Sequence, residues 1–152
     1  MKVIVQIVKS ASVTVNGEIV GSIGNGELVL LGVKEDDTKA HAELLAQKVC
    51  NLRVLCDETD KMNLSLLDTE GEMLVVSNFT LCADTKKGNR PNFGTAMRPD
   101  NANELYEYFK NCVKNYGVKT VESGIFGAEM NIEASLDGPV TIVLDTDTWR
   151  KQ

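Results

Sequence analysis

Two short segments carry the groups best suited to chemistry. Ser77-Asn78-Phe79-Thr80 closes an apolar run, Leu74-Val75-Val76, and leads into Leu81-Cys82-Ala83-Asp84. Hydroxyls and an amide at a strand's end can line a cleft, but on the pattern alone a strand terminus dressed in polar residues is the simpler reading. Thr80 is the tempting nucleophile. Nothing nearby supplies it with a base, so it reads better as a positioning or hydrogen-bonding group. The second segment is Asp137-Gly138-Pro139-Val140-Thr141. Pro139 has no N–H to donate and belongs at the edge or start of a strand. A Gly-Pro bond is one of the few that turns cis at modest cost, and the sequence does not say which isomer is present. By composition alone this is an everyday loop.

Other catalytic signatures are missing. His41 is the only histidine, and a histidine base needs a third group to orient it, so His41 reads as a solvated surface residue. There is no Gly-x-Ser-x-Gly elbow, no phosphate-cradling Gly-x-x-x-x-Gly-Lys and no Gly-x-Gly-x-x-Gly fingerprint. The cysteines at 50, 56, 82 and 112 include no Cys-x-x-Cys pair, so neither a metal site nor a cofactor is expected. Lys86, Lys87 and Arg90 cluster just after the first segment. The net charge of −6 argues against a broad, sequence-blind grip on nucleic acid, yet leaves room for one local basic patch.

The elements that must position these groups follow from hydrophobic periodicity. Val3–Val8 and Ser12–Val15 alternate as strands, Asn16-Gly17 signals a hairpin, and Glu18–Ile23 and the apolar run Leu28–Val33 follow, reading as an antiparallel meander whose last strand is buried on both faces. The period then changes. Asp36 or Asp37 caps a helix with Ala42, Leu45, Ala46, Val49 and Leu52 at helical spacing, and Asp100 caps a second with Leu105, Phe109, Cys112, Val113 and Tyr116 inside. Strands are expected at Met73–Phe79, Lys119–Glu122, Met130–Leu136 and Val140–Asp145. With 152 residues, 43% hydrophobic and 25% charged, the chain reads as one α+β domain, 1–152. No apolar stretch is long enough for a membrane span. The N-terminal run reads as a first strand rather than a secretion signal, which points to the cytoplasm.

Six stretches, taken in order, are more specific than any one alone: Ala11–Val15, Leu28–Val33, Lys61-Met62-Asn63-Leu64-Ser65, Ala83–Pro91, Phe126-Gly127-Ala128-Glu129-Met130 and Gly138-Pro139-Val140-Thr141. Through them the chain resembles the D-aminoacyl-tRNA deacylases from end to end. The resemblance implies antiparallel and mixed β-sheets in a barrel-like β/β/α three-layer arrangement with two main helices. It also implies hydrolysis of the ester of D-aminoacyl-tRNA, with glycyl-tRNA mischarged on tRNA-Ala as a further substrate. Family members are homodimers with a cross-subunit active site.

Carried over residue by residue, Ser77, Asn78, Phe79 and Thr80 form the catalytic segment, the N–H groups of residues 79 and 80 stabilising the oxyanion. Gly138, Pro139, Val140 and Thr141 of the partner, with Gly-Pro in cis, carry chiral selection. Lys86, Lys87 and Arg90 would meet tRNA phosphates, and Phe126 and Met130 would flank the terminal adenine or else pack in the core. The chain departs from the family at Ile7, where arginine is usual, at Asn78, where glutamine is usual, and at Leu136, where asparagine is usual; Cys82 stands where tyrosine is common. A divergent paralogue with altered aminoacyl-tRNA selectivity is therefore one alternative. The other is a non-catalytic nucleic-acid-binding module on the same fold.

Overall fold

Residues 2–15 form a single strand, β1 (Lys2–Val15), where the sequence suggested two. Lys9-Ser10 does not break it, because a second long strand, β8 (Asn131–Asp145), runs antiparallel beside it from Lys2↔Asp145 to Thr14↔Asn131. The computed structural model containing these strands describes residues 1–149; the last three residues of the expected domain, 150–152, lie outside the described residues.

The expected meander is corrected. β2 (Glu18–Ile23) returns along the far half of β1, through Ala11–Val15. β3 (Gly26–Gly32) pairs with the near half of β1, Lys2–Val8, instead of with β2. With β8 holding one edge of β1 throughout, the other edge is long enough for both short strands in turn. β6 (Glu72–Ser77) then joins β3 in parallel, and β7 (Val121–Ser123) joins β6 in parallel. β2 curls toward β7, where a Cβ on Gly21 would stand 2.6 Å from the Ser123 carbonyl oxygen. The result is a nearly closed, barrel-like sheet in a mixed α+β fold. A small second sheet pairs β4 (Leu55–Cys56) with β5 (Met62–Leu64). Neither of these strands nor the short helix α2 (Leu66–Thr69) was legible in the sequence.

Two helices, α1 (Lys39–Asn51) and α3 (Pro99–Tyr116), cover one face of this sheet. Val29, Leu31, Met73 and Val75 meet Leu45, Val49, Tyr106, Phe109 and Val113 in the main core. Leu28, Leu74 and Val76 point the other way, into a second cluster with Val8, Val13 and Ile23. β3 and β6 are thus apolar on both faces, as parallel strands are.

The helix starts differ from expectation. Thr38, not Asp36 or Asp37, is the α1 cap; its N–H donates to His41 Nδ1 at 3.0 Å, which satisfies an otherwise orphaned donor. His41 is half-buried and held at this helix start. Asp37 is buried and accepts from the Met1 amine at 2.5 Å and the Lys34 N–H at 2.6 Å. α3 begins with Pro99 at its first position, where a missing N–H costs nothing, and Asp100 sits in its first turn. Leu52 is the C-cap residue of α1, and Tyr116 is exposed rather than inward.

Candidate functional site

The C-terminal ends of β3, β6 and β7 all lie on one side of the sheet, because the three strands are mutually parallel. Loops leaving that side converge, as at the carboxyl ends of open α/β sheets, where ligands bind. β6 ends at Ser77, level with Leu31. The chain then turns sharply: Asn78 N–H donates to the Leu31 carbonyl at 2.8 Å, and Phe79–Cys82 form one 3₁₀ turn rather than the strand end expected for Phe79. Leu81 N–H returns to the Asn78 carbonyl at 3.3 Å. In a turn of this kind the first N–H groups, here Phe79 and Thr80, have no acceptor within the turn. Both residues are exposed.

Thr80 Oγ1 donates to Asn78 Oδ1 at 2.5 Å. An amide oxygen cannot take up a proton as a base would, so the contact orients Thr80 without activating it. The turn rests on Gly32, the last residue of β3. A Cβ there would lie 3.0 Å from Leu81 Cβ, 3.1 Å from the Asn78 carbonyl oxygen and 3.2 Å from Cys82 Sγ. Cys82 is buried and its Sγ lies 3.5 Å from the Val33 carbonyl oxygen, and burial raises its thiol pKa above the ordinary value. Sequence reasoning missed Gly32; its signal was a glycine interrupting the apolar run Leu28–Val33.

Phe126 follows β7 on the same side of the sheet. Its ring is half-buried, 5.8 Å from the Tyr106 ring. Met130 is also half-buried and packs against the second core cluster. Lys86, Lys87 and Arg90 lie on an exposed ribbon after the turn and line, with Phe93, a groove of about 500 Å³. Phe93 was not singled out by sequence; its ring sits 5.2 Å from that of Phe79, edge to face.

Gly138 and Pro139 lie elsewhere. Gln6 pairs with Thr141 and Val8 with Leu136, so residues 137–140 oppose Ile7 alone and bulge out of the ladder. The Gly138-Pro139 bond is cis. Ile7 is level with Glu27, near the start of β3, whereas Ser77 is level with Leu31 near its end. Asp137 lines a cavity with Asn25, Gly26 and Gly71, at the N-terminal ends of β3 and β6. At about 3.3 Å per residue, roughly 13 Å of strand separates the two levels. One protomer does not bring the two segments together. Two of the four residues that depart from the expected pattern lie at this bulge: Ile7 is buried directly opposite it, and Leu136 is exposed at its base; Asn78 and Cys82 lie at the 3₁₀ turn instead.

Among the described residues no group of three or more His, Cys, Asp or Glu could hold a metal ion. No helix among them is long and apolar enough to cross a membrane.

The chain matches the family described as D-Tyr-tRNA(Tyr) deacylase over residues 4–145. It is 53% identical over 146 residues to a D-aminoacyl-tRNA deacylase of Thermosipho africanus, covering 96% of this chain and 97% of that one. It is 51% identical to one from Bacillus velezensis, covering 96% and 99%. Among solved structures, the c-Myc DNA unwinding element binding protein superposes with a TM-score of 0.90 at 43% identity, over 95% of this chain and 98% of that one. A probable eukaryotic D-amino acid tRNA deacylase shares the fold at a TM-score of 0.81 and 18% identity, over 94% and 97%.

Proposed function

The chain belongs to the D-aminoacyl-tRNA deacylase family, and from that premise we propose that it hydrolyses the ester joining a D-amino acid to the 3′ end of tRNA, releasing free D-amino acid and tRNA. The observation that carries the catalytic side is the 3₁₀ turn at Phe79–Cys82, whose leading residues Phe79 and Thr80 are exposed and whose first N–H groups have no acceptor within the turn. An aminoacyl ester is already activated. What it needs is a carbonyl held in place, charge stabilisation as the tetrahedral oxyanion forms, and water, with help from the neighbouring ribose hydroxyl. The N–H groups of Phe79 and Thr80 supply the stabilisation. Ser77 and Asn78 lead into the turn, and Asn78 holds the Thr80 hydroxyl.

The site is completed by a second copy of the chain. Two observations support this reading: the segment 138–141 sits at the wrong end of its own sheet, and β8 is exposed nearly throughout. Ile132, Leu136 and Val143 are 36%, 45% and 56% exposed on that strand, and exposed apolar groups along one paired strand are what an isologous interface would cover. From the partner, the Gly138-Pro139 main chain reaches the α-carbon, holds the α-ammonium through its carbonyl oxygens, and walls off the side where an L-amino acid carries its side chain. Val140 and Thr141 fix that wall to the ladder. Selection is by exclusion, so many D-side chains are accepted and none needs its own pocket.

Matched D-, L- and glycyl-tRNA, followed by ester loss against a no-enzyme control, test this reading. The D-ester is cleaved, and the L-ester more slowly by about 10²-fold or more. The glycyl ester, with hydrogen on both faces, is cleaved measurably; its complete inertness beside a reactive D-ester would count against a main-chain wall. Equal rates for D and L would indicate the divergent-paralogue alternative. No cleavage at all would leave a binding module, a reading that the net charge of −6 already disfavours. Because Thr80 positions rather than attacks, Thr80→Val keeps kcat within about tenfold of wild type, the worth of one hydrogen bond. Total loss of turnover with unchanged substrate binding would make Thr80 the nucleophile.

A further inference from the structure

We propose that Phe79 and Phe93, with the basic ribbon 84–92, form a stacking and phosphate-binding subsite for the unpaired nucleotides that precede the terminal adenosine of the substrate. The proposal rests on the tRNA-ester reading above and extends it along the nucleic acid.

Phe79 is 60% exposed and Phe93 36% exposed, and neither belongs to a core cluster. Two large rings set edge to face at 5.2 Å and left in solvent forgo the burial that normally holds such side chains. The face they leave open accepts another flat apolar surface. The ribbon that ends at Phe93 is not a loose loop. Asp84 and Asn92 exchange main-chain hydrogen bonds of 2.7 and 2.9 Å across its base. Asp84 Oδ1 accepts the Lys86 N–H at 2.9 Å and Asn92 Oδ1 accepts the Gly94 N–H at 2.7 Å. The pinned ribbon displays Lys86, Lys87 and Arg90 around the groove of about 500 Å³ that Phe93 closes.

On a chain of net charge −6, three cations against one acid in this ribbon make a local positive patch. Alternating π-faces and cations are how proteins hold single-stranded nucleic acid: bases stack on rings while the backbone tracks positive charge. Continuity fixes which nucleotides. Phe79 opens the 3₁₀ turn whose N–H groups receive the ester, so the strand leaving that ester crosses the Phe79–Phe93 pair before it reaches Arg90 and Lys87.

The test compares two substrates: D-aminoacyl-tRNA, and a 3′-(D-aminoacyl)adenosine that carries the same ester without the preceding nucleotides. With Phe93→Ala, kcat/KM on the tRNA falls about tenfold to a hundredfold, mostly through KM, and on the adenosine ester it stays within about twofold. Phe93→Tyr restores the tRNA activity. Arg90→Ala and Lys87→Ala each lower the log–log salt slope for tRNA by about 0.7. An equal loss on both substrates would make Phe93 a prop for the turn and overturn the subsite, as would undiminished tRNA activity. Wild-type inertness toward both esters would overturn the functional reading and the subsite with it.

Discussion

Replacing Glu27 with leucine raises the unfolding free energy by about 3 kcal/mol at pH 7. Glu27 lies in β3 between Ile7 of β1 and Met73 of β6. It is fully buried, and neither carboxylate oxygen has a hydrogen-bond partner. Burial pushes its pKa from 4.5 up to about 8, so the folded protein carries a proton there that the unfolded chain has released at neutral pH. The sign follows from that difference. Below about 4.5 both states are protonated and the ionisation costs nothing. As pH rises from 4.5 toward 8 the unfolded state is favoured by about 1.4 kcal/mol per unit, and above 8 the penalty is complete. Leucine fills a similar volume with no charge to release. Denaturant unfolding of both proteins from pH 5 to 9 checks this: their difference should grow up to about pH 8 and then level off. A difference independent of pH would mean that Glu27 has a partner after all.

Glu27 also marks the limit of what can be read from one chain. The run Leu28–Val33 is plainly a buried strand, and its two apolar faces were legible because parallel strands show no alternation. The glutamate beside it carries no signal of burial in the sequence. Only distant segments bury it: β6 pairs beside it from 46 positions away (Glu27↔Met73), and Cys50 of α1 lies close enough to feel its charge. The same non-local pairing explains the missed connectivity. The extended segments of the first third were legible, but the first two of them are one strand, and β1 hosts β2 and β3 in succession because β8, at the other end of the chain, holds its far edge. The helices were legible from their stripes and displaced only at their ends, where Thr38 with His41 and Pro99 outcompeted the aspartates as start signals. The candidate site was read as two motifs and as a family pattern. What supports it was not: Gly32 beneath the turn and Phe93 beside Phe79 act through contacts between segments that sequence spacing does not reveal.

That support permits a decisive trial of where the two halves of the site meet. Gly32→Val forces side-chain atoms into a space where even one Cβ would be 3.0 to 3.2 Å from Leu81, Asn78 and Cys82. The 3₁₀ turn must shift, and misplacing oxyanion donors by a fraction of an ångström to one ångström costs about 10²-fold in kcat. Gly138→Ala damages the other half. Gly138 has φ +121, which L-residues rarely adopt, and a Cβ there would stand 2.8 Å from the Val140 nitrogen. The main chain must rearrange, lowering D-specific turnover by a similar factor and loosening rejection of the L-ester. Each variant alone is nearly inactive. Mixed under conditions that exchange subunits, they behave differently according to the architecture. If each site combines the turn of one protomer with the Gly-Pro segment of its twin, half of the dimers are mixed and each mixed dimer has one intact site. Activity then recovers to about a quarter of wild type. If each protomer holds its own complete site, every site carries one lesion and nothing is recovered. Co-refolded variants with thermal unfolding as a control for folding make the comparison, and the absence of recovery in well-folded mixtures would place both halves of the chemistry within a single chain.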